Sequence, residues 1–126
     1  MTGGKVIDAS AAAAVVFLES KATDIDRRIA GWKLLAPAIL TFEMMNVCVK
    51  KMRAHPDQRA AILIGFRTYQ RAEIELRDVD QPGVIDIADR LKLSAYDASY
   101  LWLARHLGAE LVTLDARLEK AVVKAT

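Results

Sequence analysis

The chain opens with a β-branched run, Lys5-Val6-Ile7-Asp8, and passes at once into alanines. Alanine is the best helix former, so Ala11 to Ala14 followed by Val15, Val16 and Leu18 predicts a strand entering a helix over Ala11–Ser20, with Ser10 placed as its N-cap. A second, charged helix is predicted from a cap at Thr23 to a stop near Gly31, and Trp32–Leu35 reads as the next strand. Ile39, Leu40, Phe42, Val47 and Val49 then recur at helical spacings. They predict a long helix opened by Pro37 and broken by Pro56, with Lys50, Lys51 and Arg53 at its basic end.

In the second half, Asp57 is placed to cap a helix running to about Ala72, and Ile74–Val79 alternates apolar and charged as a half-exposed strand does. Gln81-Pro82-Gly83 reads as a turn before a short helix, Val84–Leu91. Ser94 is a good cap for a helix over Ala95–Leu107, and Gly108 is placed to end it. Leu111–Leu114 is the most strand-like segment, and Ala116–Lys124 closes the chain as a helix. Strands alternate with helices throughout, with no repeat or low-complexity linker. That order predicts an α/β sandwich built on a mostly parallel sheet of about four to five strands, in a single domain over residues 1–126.

Composition narrows the classes. With 53% hydrophobic and 27% charged residues, disorder and fibrous repeats are excluded. The longest apolar stretch, Ala9 to Leu18, is bracketed by Asp8 and Glu19 and falls short of the roughly 20 residues that a bilayer span requires. The single Cys48 excludes an intramolecular disulfide and fits a reducing compartment, so a soluble cytoplasmic protein without a membrane partner is expected. The net charge of +2 is too small for a protein that coats nucleic acid.

Most of the 16 acids sit in polar company and need no special explanation. Four do. In open parallel sheets the ligand crevice lies beyond the carboxyl ends of the strands, and Asp8 and Asp115 end the first and last predicted strands. Glu43 lies four residues from Ile39 and Val47, and Asp97 lies three and four residues before Tyr100 and Leu101, so a helix places each on an apolar stripe. A buried carboxylate needs a proton, a basic partner or a metal. Four such groups at one end of a sheet repel one another, which a divalent cation relieves, and an all-oxygen donor set selects Mg²⁺ or Mn²⁺. His55 and His106 have no zinc-ligand spacing, while Cys48, Trp32, Trp102, Tyr69 and Tyr100 read as packing residues.

The segments Val6-Ile7-Asp8-Ala9-Ser10, Ala36 to Val47 around Glu43, Leu93 to Leu101 around Asp97, and Leu111-Val112-Thr113-Leu114-Asp115 resemble the PIN-domain ribonucleases, in particular the VapC-type toxins of type II toxin–antitoxin pairs. The resemblance runs from Lys5 to Leu118. It implies a PIN-like three-layer sandwich in which Asp8, Glu43, Asp97 and Asp115 form a catalytic, metal-binding cluster. Ser10 and Thr113 match supporting hydroxyl positions, and Asn46 matches a polar neighbour one turn after Glu43. It further implies Mg²⁺- or Mn²⁺-dependent hydrolysis of RNA phosphodiester bonds, a homodimer, and a cognate antitoxin whose peptide covers the acidic groove. Arg117 stands where some relatives carry another acid, which implies that a second metal is held weakly or only with substrate bound.

The charge balance agrees with a polyanionic substrate. Setting aside the four cluster acids leaves 12 acids against 18 bases, an excess of six positive charges. Lys50, Lys51, Arg53, Arg90, Lys92 and Arg117 are candidate contacts to the RNA backbone. Preference for RNA rests on the resemblance alone. A phosphoacceptor receiver domain is disfavoured, because it needs paired acids after the first strand and a lysine where Asp115 stands. The alternative kept open is a catalytically inactive PIN fold serving as an RNA- or protein-binding module.

Overall fold

Every neighbouring pair of strands in the protein runs parallel. The computed structural model describes residues 3–125 and contains one sheet, of strands β1 (Gly4–Ile7), β2 (Lys33–Pro37), β3 (Glu75–Arg77) and β4 (Glu110–Val112), in the order β3-β2-β1-β4. Val6 stands opposite Leu35, Ile7 opposite Val112, and Pro37 opposite Arg77, so the strands end together on one edge. β1 is central and its Val6 and Ile7 are buried, as expected of a parallel strand covered on both faces.

Parallel strands need crossover connections, and the helices supply them. α1 (Ala9–Val16) and α2 (Ala22–Ile29) follow β1, α3 (Ile39–Ala54) and α4 (Arg59–Arg71) follow β2, α5 (Gln81–Leu91) and α6 (Ala95–Leu107) follow β3, and α7 (Ala116–Ala125) follows β4. α1 packs on α2, α3 and α4, whereas α6 packs on α5 and α7 and lies across β1, β2 and β4. The four-stranded sheet flanked by helices is the predicted architecture, with all of its strands parallel. Among the described residues no helix is long and apolar enough to cross a membrane.

Local chemistry explains where the helices begin, and it corrects several expectations. Ser10 does not cap α1. The cap is Asp8, whose side chain accepts from the Ala11 amide at 3.0 Å, so the helix starts at Ala9 and ends at Val16 rather than at Ser20. α2 begins at Ala22, which places Thr23 inside it. Pro37 is the last residue of β2, and α3 opens two residues later. Asp57 lies in a 3₁₀ turn, Pro56–Gln58, and α4 starts at Arg59 without a side-chain cap. Gln81-Pro82-Gly83 forms the first turn of α5 because Asp80 caps it, accepting from the Gly83 amide at 3.0 Å; Pro82 sits where a missing N–H costs nothing.

Other signals are observed as predicted. Ser94 accepts from the Asp97 amide at 3.1 Å at the start of α6, and Gly108 ends that helix at φ 60°, a left-handed conformation. Gly65 on α4 lets that helix approach α1 closely, since a Cβ there would meet the Phe17 ring at 2.5 Å and the Val16 carbonyl oxygen at 3.1 Å. The core gathers Ile7, Leu40, Met44, Tyr100, Leu101, Leu103 and Leu118. Cys48 is buried, and burial pushes its thiol up, which fits a packing residue.

Candidate active site

β1 and β4 are neighbours with matched ends, so the residues that follow them meet. The Asp8 amide donates to the Val112 carbonyl at 3.2 Å, and Thr113 stands beside Asp8. Asp8 is buried, at 5% exposure, and both of its oxygens are engaged. Ser10 Oγ donates to Oδ1 at 2.7 Å beside the Ala11 amide, while Thr113 Oγ1 donates to Oδ2 at 2.5 Å. The same two hydroxyls also accept: Ser10 Oγ from the Leu114 amide and Thr113 Oγ1 from the Asp115 amide, each at 3.0 Å. One hydrogen-bond network therefore fixes Asp8, the start of α1 and the loop that carries Asp115.

The other three acids arrive on separate elements. Asp115 precedes α7, and its Oδ1 accepts from the Arg117 amide at 2.9 Å. Asp97 lies in the first turn of α6, half-buried, and Glu43 lies in the second turn of α3, also half-buried. Glu43 Oε1 accepts from the Tyr100 hydroxyl at 2.5 Å. Sequence reasoning assigned Tyr100 to packing alone; the missed signal was its position three residues after Asp97 on the same helix face.

The acids feel one another. Burial pushes the Asp8 carboxyl above the usual carboxylate range against its three hydrogen bonds, and Asp115 adds to the rise. Burial also raises Glu43, with Asp97 and Asp8 reinforcing it and the Tyr100 hydrogen bond opposing it. Asp97 is raised by burial and then by Asp115 and Asp8, and Arg117 is the base that opposes this. An acidic centre with Asp8 buried and Glu43, Asp97 and Asp115 half-buried, opposed by Arg117, has the charge and the hard oxygen donors that suit Mg²⁺ or Mn²⁺. Among the described residues no group of three or more His, Cys, Asp or Glu side chains is placed to hold a metal directly, so the fit is one of charge and donor chemistry.

This arrangement of elements can be compared with known proteins. Residues 5–124 match the PIN domain family. The chain belongs to the PIN domain family. PIN domains are generally nucleases, and they usually employ divalent metal ions. The fold of this PIN domain is similar to that in the crystal structure of PAE2754 from Pyrobaculum aerophilum, with a TM-score of 0.77, 24% sequence identity, and coverage of 99% of this chain and 93% of that one. No curated protein matches the sequence.

The candidate residues of the PIN domain thus divide. Asp8, Ser10 and Thr113 are joined directly, and Glu43, Asp97 and Asp115 lie within their electrostatic reach. Arg117 faces Asp97. Asn46 is exposed beside Glu43 in a groove on α3. Lys51 pairs with Glu19 at 2.7 Å and lies over the Phe17 ring, and Arg90 pairs with Asp86 at 3.1 Å, so both are engaged in ion pairs of their own. Lys50, Arg53 and Lys92 are exposed, the first two continuing the Asn46 side of α3 by one and two turns.

Proposed function

We propose that this PIN domain is a Mg²⁺- or Mn²⁺-dependent endoribonuclease and the toxin component of a type II toxin–antitoxin pair. The observation that supports the nuclease reading is the mutual electrostatic influence of four carboxylates, one directly after β1, one each on α3 and α6 and one in the β4–α7 loop, with Arg117 opposing it at Asp97. A divalent cation bound here supplies Lewis-acid stabilisation of the phosphoryl oxygens and an acidified water. Asp8 and Asp97 are the proposed principal ligands, with Asp115 and Glu43 completing the set.

The chain's own groups divide the remaining work. Ser10 and Thr113 hold the Asp8 carboxylate in one orientation, which avoids reorganisation when charge develops on a substrate. Tyr100 occupies Oε1 of Glu43 and leaves Oε2 to receive a proton or orient a water. Arg117, exposed and acting electrostatically on Asp97, is the proposed contact to a substrate phosphate. Ser10 serves as a hydrogen-bonding group, because hydrolysis at such a centre requires no covalent nucleophile. The homodimer and the antitoxin are proposed from the resemblance to VapC-type toxins, and the cytoplasmic setting from the single Cys48.

Incubating dilute protein with mixed RNAs and Mg²⁺ or Mn²⁺, beside Asp97→Asn, tests the nuclease. Cleavage by the wild type and its loss in the variant are expected; absence of cleavage with both metals, or unchanged cleavage by the variant, overturns the assignment. Growth arrest on expression, relieved by the product of the neighbouring reading frame, tests the toxin role.

A further inference from the structure

The four carboxylates differ in how much oxygen they have left for a ligand. Asp8 Oδ1 accepts from the Ser10 hydroxyl and the Ala11 amide, and Oδ2 accepts from Thr113, so Asp8 offers one further lone pair, on Oδ2. Asp115 Oδ1 accepts from the Arg117 amide at 2.9 Å and from the Leu118 amide at 3.4 Å, which commits it to the first turn of α7 and leaves Oδ2. Glu43 Oε1 is taken by the Tyr100 hydroxyl, which leaves Oε2. Among the described residues no group donates to either carboxylate oxygen of Asp97.

That inventory suits one ion rather than two. Mg²⁺ takes about six oxygens and keeps several waters among them, so single oxygens from Asp8, Asp115 and Glu43 with the pair on Asp97 suffice in number. A second ion roughly 3.5 to 4 Å from the first is held against their repulsion by carboxylates that give an oxygen to each. Of the four acids, Asp97 has two oxygens to share, and Asp97 is the acid on which Arg117 acts. Arg117 lies in the first turn of α7, exposed and without an ion pair among the described residues, whereas Lys51 and Arg90 spend their charge on Glu19 and Asp86. A cation in the first turn of a helix opposes the macrodipole, so the stability of α7 does not call for this arginine. Its guanidinium fork is left to a ligand, and that fork matches a phosphate with two parallel hydrogen bonds.

We infer that the acidic centre takes one divalent ion and that Arg117 stands in for a second, supplying the further positive charge that a phosphate in the site meets. This rests on the nuclease reading and deepens it, by dividing the positive charge of that site between a bound ion and a side chain. A charge carried by the chain does not dissociate, so the centre is complete once a single ion is bound.

Calorimetric titration of the full chain with Mn²⁺ alone reads the stoichiometry, and the wild type is expected to bind one ion per chain. Arg117→Gln is expected to bind that ion roughly threefold to tenfold more tightly, because a neighbouring like charge is gone. Arg117→Glu adds a carboxylate where the helix dipole favours one, and is expected to bind two ions. Arg117→Lys keeps the charge and is expected to match the wild type in stoichiometry. Two ions on the wild type, a single ion on Arg117→Glu, or unchanged Mn²⁺ affinity in Arg117→Gln each overturn the inference. The phosphate contact is read separately, from the salt dependence of binding to a short oligoribonucleotide with Ca²⁺ replacing Mg²⁺: the slope is expected to fall by about one in Arg117→Gln, and an unchanged slope overturns the contact. A wild type that cleaves RNA while holding two ions loses this inference alone. A wild type that neither binds Mn²⁺ nor cleaves RNA loses the nuclease reading with it.

Discussion

Tyr100 on α6 donates its hydroxyl to Glu43 Oε1 on α3 at 2.5 Å, tying together two of the helices that carry the acidic centre. Tyr100 is 1% exposed, so its ring is part of the core while its oxygen belongs to the site. Tyr100→Phe keeps the packing and leaves Glu43 without its donor. We expect a loss of about 1 to 2 kcal/mol in urea unfolding, toward the low end for a hydrogen bond to a charged group because Glu43 is half-exposed. Mn²⁺ binding measured by calorimetry is expected to weaken several-fold. Unchanged stability and affinity would show that the hydroxyl is idle.

Thr113 is the other pivot. It is buried, donates to Asp8 and accepts from the Asp115 amide, so Thr113→Val deletes both hydrogen bonds at constant shape. A destabilisation of about 2 to 3 kcal/mol is expected by chemical denaturation, with Thr113→Ser losing much less. Equal losses in the two variants would point to packing of the methyl group instead.

The raised acid at Asp8 gives stability a definite pH dependence. A carboxyl whose pKa is higher in the folded than in the unfolded chain binds more protons when folded, so its ionisation lowers stability as pH rises through the window from the ordinary carboxylate value to the raised one. In EDTA, Asp8→Asn removes that ionisation. The melting temperature of the variant relative to that of the wild type is expected to rise from pH 4 toward neutral pH. A difference that grows on acidification would contradict the direction of the shift.

Cation binding should reverse the same penalty. Titrating Mn²⁺ at neutral pH is expected to raise the melting temperature of the wild type, by an amount that corresponds to about 2.7 kcal/mol at a hundredfold excess over the dissociation constant. Asp8→Asn and Asp97→Asn should lose most of this gain. Scanning calorimetry at several Mn²⁺ concentrations checks it, and an equal gain in all three proteins would place the bound ion elsewhere.

Gly65 tests the packing of α4 on the C-terminal end of α1. An added Cβ would meet the Phe17 ring and the Val16 carbonyl oxygen, so Gly65→Ala must displace that ring or part α4 from α1. The expected cost is about 1 to 3 kcal/mol, despite the better helix propensity of alanine. Stabilisation on substitution would show that the two helices part freely.

Much of the fold was legible because its signals are local. The order of strands and helices, the Ser94 and Gly108 boundaries of α6 and the strand before Asp115 all follow from propensity, capping and spacing within a few residues. The misread boundaries were those where one side chain had competing uses. Asp8 reads as a site residue, which leaves Ser10 as the apparent cap, whereas the Asp8 side chain caps α1 and also accepts from Ser10. Gln81-Pro82-Gly83 looks like a turn until Asp80 caps it.

The sequence by itself determined which acids stand at strand ends and on apolar helix faces, since both follow from periodicity along one element. Only the tertiary structure decided which of them share a field and which partners they have. The parallel register of β1 against β4 sets Thr113 beside Asp8 across 105 positions of sequence. The packing of α6 against the sheet brings the Tyr100 hydroxyl to Glu43 across 57 positions. Contacts at such separations depend on the helices and strands between them, and no pattern of neighbouring residues encodes them.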